Sequence, residues 1–217
     1  MTTPTRDLTD NTAEHIDPLA VLRFVPQAAK RVLDCGGASG ALPERLAKRH
    51  AVTLTCANVI SARDRAVRTI PSGPAAYDCI TCVDVAPRVR DAEPLAKELA
   101  RVLAPGGVLL MTVPNVQFYR IVLALAHGHW QAAEGGVLDP SHIRFFTAFE
   151  AAELLRRHGL HLEAIIPLAG TAPENVPRDA RGCINAGEIR LGPLTDDEYK
   201  VYLTSQFLVM ATKPSPE

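Results

Sequence analysis

No stretch of this 217-residue chain could span a bilayer as a helix. The longest apolar run, Ile121 to Ala126, falls far short of the roughly 20 residues that a spanning helix needs. Met1 to Ile16 is polar and mixed in charge and has no apolar core of the kind a secretory leader carries. Excess charge of one sign is missing too: 23 basic against 24 acidic residues give a formal net charge of −1, which removes any global electrostatic case for nucleic acid or an anionic membrane. Cysteine is sparse and scattered at 35, 56, 79, 82 and 183. Cys79 and Cys82 have the spacing of a redox or zinc pair, but residues three apart on a strand point to opposite faces, so the thiols are expected to diverge. No internal repeat is present. These absences predict a soluble, cytoplasmic protein with no structural metal and one well-filled domain.

What is present is an alternation of strands and helices. Asp17 to Pro26 reads as a short helix, Arg31–Asp34 as a first strand, and Ala41 onward as a helix to about Arg49. Ala51 to Asn58 reads as a second strand, and Ala66 to Ile70 as a short third. Tyr77 to Asp84 and Val108 to Val113 are apolar enough to be buried strands. Between them, Leu95, Leu99, Val102 and Leu103 recur at helical spacing until Pro105-Gly-Gly107 stops the pattern. Gln117 to His127 is an apolar helix that must pack on something or cover something. Thr147-Ala-Phe-Glu150 and Thr195-Asp-Asp-Glu198 have the form of capping boxes. His161 to Pro167 and Thr204 to Ala211 complete the strands. Residues 1–16 read as a flexible arm and residues 17–217 as one domain, with an insertion or lid at 167–203. Alternation of this kind favours a mostly parallel α/β sheet with helices on both faces.

The ligand-binding signal is Arg31-Val-Leu-Asp-Cys-Gly-Gly-Ala-Ser-Gly40, a strand running through an acid into a small-residue turn ahead of a helix. Such a corner binds nucleotides in open α/β sheets, where glycine lets a ligand approach the main chain. The dinucleotide spacing G-x-G-x-x-G would fall on Gly36, Ala38 and Ala41, so two of its glycines fail. A P-loop fails as well, because Gly40 is followed by Ala-Leu rather than Lys-Ser/Thr.

The same residues resemble the first motif, D-x-G-x-G-x-G, of the class I S-adenosylmethionine-dependent methyltransferases. Tyr77-Asp-Cys-Ile-Thr-Cys-Val-Asp-Val85 is similar to that family's fourth strand. Leu95 to Asn115 is similar to its next helix, Pro-Gly-Gly turn and fifth strand, and Leu138-Asp-Pro-Ser-His-Ile-Arg-Phe-Phe-Thr147 resembles the L-D-x-x-H-L-R-F-F-T segment of a bacterial branch. The resemblance implies a seven-stranded, Rossmann-like sheet whose last strand is antiparallel. It implies S-adenosyl-L-methionine as cofactor, with Asp34, Gly36, Gly37, Ala38, Ser39, Gly40, Asn58, Asp84 and Val85 on its side of the site. Ala38 stands where the middle glycine belongs, and Asn58 where an acid normally grips the ribose hydroxyls.

Methyl transfer to a hydroxyl needs in-line positioning and removal of a proton, and His142 is the candidate base. Asn115, Tyr119, His129, Trp130 and Arg144 are candidates for the acceptor pocket, and a local Asp139–Arg144 ion pair is expected to order the loop before Thr147. The expected function is O-methylation of a small-molecule or glycan-like acceptor, with no nucleic-acid or membrane partner and with a homodimer left open. The alternative is a catalytically silent binding or scaffold subunit on the same fold.

Overall fold

The computed structural model describes residues 18–36, 41–48, 52–186 and 189–215. The apolar residues of β1 (Arg31–Asp34) are buried, and it pairs in parallel with β2 (Thr53–Cys56) on one side and β3 (Tyr77–Val83) on the other. β4 (Leu103–Pro114) pairs in parallel with β3. β8 (Thr204–Thr212) runs antiparallel between β4 and β5 (His161–Gly170). The resulting order is β2-β1-β3-β4-β8-β5. Sequence order reverses between β1 and β3, which opens a crevice at the carboxyl ends of those strands.

The sheet has six strands where the resemblance implies seven. Among the described residues, 59–76 hold no strand, only an isolated bridge between Ile60 and Val67. The reason is compositional: three arginines, Arg63, Arg65 and Arg68, crowd this segment, and it has few apolar side chains for a sheet face. It is pinned instead by buried Val59 and Ile70 and by Arg101, which donates to the Ile70 and Ser72 carbonyls at 3.0 and 2.8 Å.

One face of the sheet packs on the 3₁₀ turn Pro18–Phe24 and on α1 (Ala41–Ala47) through Val21, Val25, Leu42 and Leu46. The other is covered by α2 (Ala92–Val102) and α4 (Ala148–Arg157), whose Leu95, Leu99, Leu154 and Leu155 meet Ile80, Leu109 and Met111. Cys79 belongs to the first face and Cys82 to the second, so strand geometry separates the two thiols. The α2 helix stops short of Ala104. β4 begins at once and passes through Gly106 at φ +72° and Gly107, where a Cβ would lie 2.8 Å from the Ala104 carbonyl oxygen.

Thr147 caps α4 by accepting from the Glu150 N–H at 3.1 Å, and Gly159 at φ +75° follows its end. The apolar α3 (Tyr119–Ala126) packs against the chain that follows β5. That stretch carries a short hairpin, β6 (Ile184–Ala186) with β7 (Ile189–Leu191), and α5 (Asp196–Leu203), opened by a complete capping box at Thr195. Val176, Ile184, Tyr199 and Leu203 form a second cluster with Phe118, Tyr119, Ile121 and Leu123. Residues 1–16, read from sequence as an arm, lie outside the described residues.

The entrance of β1 is clamped to β3 by Asp78. Its Oδ1 takes the Arg31 guanidinium at 2.6 Å, and its Oδ2 accepts from the backbone N–H groups of Arg31 and Lys30 at 3.0 and 3.1 Å. Arg31 and these N–H groups outweigh burial and hold the Asp78 carboxyl at about 2. A depressed acid stabilises the fold above its unfolded value of 3.8, and that contribution is lost as pH falls toward 2. Because the pair is solvent-screened, Asp78→Ala is expected to cost about 1 kcal/mol at neutral pH and less near pH 2. Urea titrations of both proteins at the two pH values measure this; an equal loss at both contradicts the clamp.

Candidate functional site

Asp34 ends β1 and is buried. Thr81, beside it on β3, donates its hydroxyl to Asp34 Oδ1 at 2.7 Å. Burial pushes the Asp34 carboxyl up from its ordinary range, and the bonds from Thr81 and the Gly36 N–H recover only part of that shift. Gly36 forms a bridge with Asn58, so the ends of β1 and β2 meet just beyond the last strand pair. A Cβ at Gly36 would lie 3.5 Å from Asp34 Oδ2. The exposed Asn58 accepts from the Ile60 N–H through Oδ1 at 3.1 Å. Gly37, Ala38, Ser39 and Gly40 lie outside the described residues.

Asp84 leaves β3 with φ +58°, a conformation that costs a side-chain-bearing residue free energy and persists only where the surroundings impose it. Its N–H donates to Thr112 Oγ1 on β4 at 3.0 Å. Three groups approach its carboxylate: Gln206 Nε2 at 3.4 Å from Oδ1, and Arg88 Nη2 at 3.5 Å and His142 Nε2 at 3.7 Å from Oδ2. All three distances exceed the usual hydrogen-bond range. Among the described residues His142 Nε2, Gln206 Oε1 and Arg88 Nε are buried without a hydrogen-bond partner, which suits a site whose polar atoms are completed by a bound group.

The His142 side chain is only 2% exposed. Its Nδ1 lies 3.1 Å from the Val137 carbonyl, which can only accept, so Nδ1 carries the hydrogen and the lone pair of the neutral ring sits on Nε2. Burial lowers the His142 pKa, but the facing Asp84 carboxylate, the Val137 carbonyl and more distant Asp139 outweigh it, and the net direction is upward. The loop carrying His142 is held from several sides. Arg65 donates to the Ser141 carbonyl, and the N–H groups of Ile143 and Arg144 both donate to the Pro87 carbonyl, at 2.8 and 3.0 Å.

The expected Asp139–Arg144 ion pair is not formed. Asp139 accepts from the Gly135 and Ser141 N–H groups, each at 2.7 Å, and from the Ser141 hydroxyl. Arg144 instead donates to the Arg90 carbonyl at 2.7 Å and lies 4.0 Å from Asp91. A carboxylate two residues from a turn N–H is captured locally before a long guanidinium can reach it.

Asn115 is buried and uses its side-chain groups within the chain, donating to the Val201 and Thr204 carbonyls at 2.9 and 2.8 Å and accepting from the Gln117 N–H. Tyr119 is buried against Phe118, and Arg120 donates to its hydroxyl oxygen. Trp130 is 47% exposed and stacks edge-on against exposed Phe145 at 5.2 Å; His129 is exposed beside it. The fold therefore brings Asp34, Gly36, Asn58, Asp84, Val85 and His142 to the carboxyl edge of the sheet, whereas Asn115 and Tyr119 sit in packing. Thr81, Thr112, Arg88 and Gln206 were not legible as site residues. Gln206 carries no such signal: it closes the polar Thr204-Ser205-Gln206 start of β8, ahead of the apolar run from Phe207. A groove of about 540 Å³ bordered by Phe149, Ile165 and Tyr202 includes none of the site residues. Among the described residues no group of three or more His, Cys, Asp or Glu could hold a metal, and no helix is long and apolar enough to cross a membrane.

Residues 11–165 match the family described as "Methyltransferase domain". A ubiquinone biosynthesis O-methyltransferase from Xylella fastidiosa is 26% identical over 163 residues, covering 67% of this chain and 66% of that protein. The match thus spans slightly less than two thirds of that relative. Two solved SAM-dependent methyltransferases share the fold. One, from Archaeoglobus fulgidus, has a TM-score of 0.58 at 11% identity, covering 90% of this chain and 92% of its own. The other, from Methanosarcina mazei, has a TM-score of 0.55 at 12% identity, covering 90% and 97%. The cyclase SpnF has a TM-score of 0.51 at 16% identity, covering 91% and 80%.

His142 is expected to titrate above 6.5 in a histidine proton NMR titration, and Asp84→Asn to lower that value. Raised in the folded state, His142 contributes stability that is full below pH 6.5 and is lost as pH rises through its folded value. An unmoved titration in the Asp84 variant would remove the pairing.

Proposed function

Because the chain belongs to the methyltransferase-domain family, whose cofactor is S-adenosylmethionine, we propose that it methylates a hydroxyl of a small-molecule or glycan-like acceptor, with His142 as the base. The observation that carries this is the pairing of a buried, tautomer-fixed His142 with Asp84 on the sheet edge that also holds Asp34 and Gly36. The O-methyltransferase relative supports oxygen as the attacked atom.

The residues present suit the cofactor. Asp34, Gly36 and Asn58 would hold its amino-acid and ribose portions. Asp84 and Val85, at the end of β3, would border the end that carries the methyl group. When bound, S-adenosylmethionine supplies an electrophilic methyl group. The protein's own part is to position the acceptor, exclude water and take one proton. With Nδ1 committed to the Val137 carbonyl, the proton from the acceptor hydroxyl goes to His142 Nε2, and the facing Asp84 carboxylate stabilises the imidazolium that results. The facing Asp84 carboxylate and the Val137 carbonyl raise the His142 pKa, which makes this nitrogen a stronger base than a free imidazole.

A second reading, a silent binding subunit, is favoured by one observation. Asn58 supplies a neutral amide where the family has an acid, and its oxygen is already bonded to Ile60. The charge-assisted bond to a ribose hydroxyl, about twice as strong as a neutral one, is lost.

Calorimetric titration with S-adenosylhomocysteine separates the two readings. Saturable binding is expected, and Gly36→Arg should abolish it by placing a long cation against Asp34. No saturable heat up to millimolar ligand would sink the enzyme reading. In an enzyme that binds and turns over, His142→Ala is expected to lower kcat by about a hundredfold or more; unchanged turnover would remove the base.

A further inference from the structure

The Asp84 carboxylate is approached from two sides. Asp84 Oδ2 is shared by His142 and by Arg88, whose side chain is 43% exposed and so solvent-softened. On Oδ1 stands Gln206, which is completely buried.

Gln206 cannot be moved off this position cheaply. In the antiparallel register of β8 on β4, Gln206 faces Pro114 and Leu208 faces Thr112. Thr112 and Gln206 therefore lie on the same face of the sheet, one accepting from the Asp84 N–H and the other 3.4 Å from its carboxylate. A slip of one residue would turn Gln206 to the opposite face. Its amide orientation is also determined: with the amide reversed, the carboxamide oxygen would oppose a carboxylate oxygen at 3.4 Å. Among the described residues Oε1 is buried with no hydrogen-bond partner, as is Oγ of the preceding Ser205.

We propose that Gln206 is the positioning residue of the site: its carboxamide holds the Asp84 carboxylate facing His142, so that the last strand of the sheet sets the strength of the base. This rests on the reading of His142 as the proton acceptor. With Gln206 in place, Oδ2 stays turned toward Nε2. Without it, the carboxylate is free to turn toward Arg88 and solvent. The other charged groups near His142 are Asp139, Arg65 at the Ser141 carbonyl, and Arg88. None of the three has a hydrogen bond or ion pair to Gln206.

The test reads His142 directly by NMR titration, with no need for turnover. Gln206→Met, which keeps the volume and removes both polar ends, is expected to lower the His142 pKa by about half a unit. Gln206→Glu, a donor when protonated and a second anion when not, is expected to hold or raise it. Damage to packing would move both variants the same way, so opposite directions mark a positioning role. On an Asp84→Asn background, Gln206→Met should have no further effect. Where turnover is measured, Gln206→Met should lower kcat about tenfold with KM nearly unchanged, and Gln206→Glu should recover most of it. Should one variant not fold, the other and the Asp84→Asn background still decide. A His142 titration unmoved by Gln206→Met, or lowered alike by both variants, overturns the proposal. Failure of S-adenosylhomocysteine binding or of turnover with these shifts intact would instead count against the enzyme reading.

Discussion

The hydrogen bond from Thr81 to Asp34 is the contact on which the site depends. It ties the ends of β1 and β3 where sequence order reverses and the two following segments must part. A carboxylate buried to this degree persists because the bond and the Gly36 N–H offset part of its desolvation. With β1 and β3 locked there, the turn after Asp34 and the strained Asp84 after β3 leave the sheet beside each other. Asp78 does the corresponding work at the opposite end of the same strands.

From this anchor the polar groups form a sequence across one face: Asp34 on β1, Thr81 on β3, Thr112 on β4 and Gln206 on β8, with Asp84 above them. Each is buried: Asp34 and Thr81 meet each other, Thr112 meets the Asp84 backbone, and Gln206 approaches the Asp84 carboxylate. The loop bearing His142 closes over this row from the far side, held by Arg65 and the Pro87 carbonyl rather than by an ion pair of its own. The arginine-rich segment that forms no strand is thus the one that braces the loop carrying His142.

Several parts of this arrangement were legible early because they depend on local rules. The Thr147 and Thr195 caps, the apolar stripe of α2, the buried strands at Tyr77 and Val108 and the divergence of Cys79 from Cys82 follow from spacing alone. Ala66–Ile70 did not, because a few β-formers among arginines look like a short strand until one asks what face they would bury. Asp139 and Arg144 misled for a similar reason: opposite charges five residues apart suggest a pair, but turn geometry offered Asp139 nearer donors.

The chain's own sequence determined most of the elements and the alternation that makes the sheet mostly parallel, which are consequences of short-range periodicity. Asp34, Asp84 and His142 were singled out by the resemblance of their segments to methyltransferase motifs. The antiparallel last strand was implied by the family resemblance and not by periodicity; only the tertiary structure decided that the sheet stops at six strands, that Asn115 spends its amide on the Val201 and Thr204 carbonyls, and that Gln206 approaches Asp84 across 122 positions of chain. Such contacts are settled by register between strands far apart in sequence, and no local pattern encodes which buried polar group will face which.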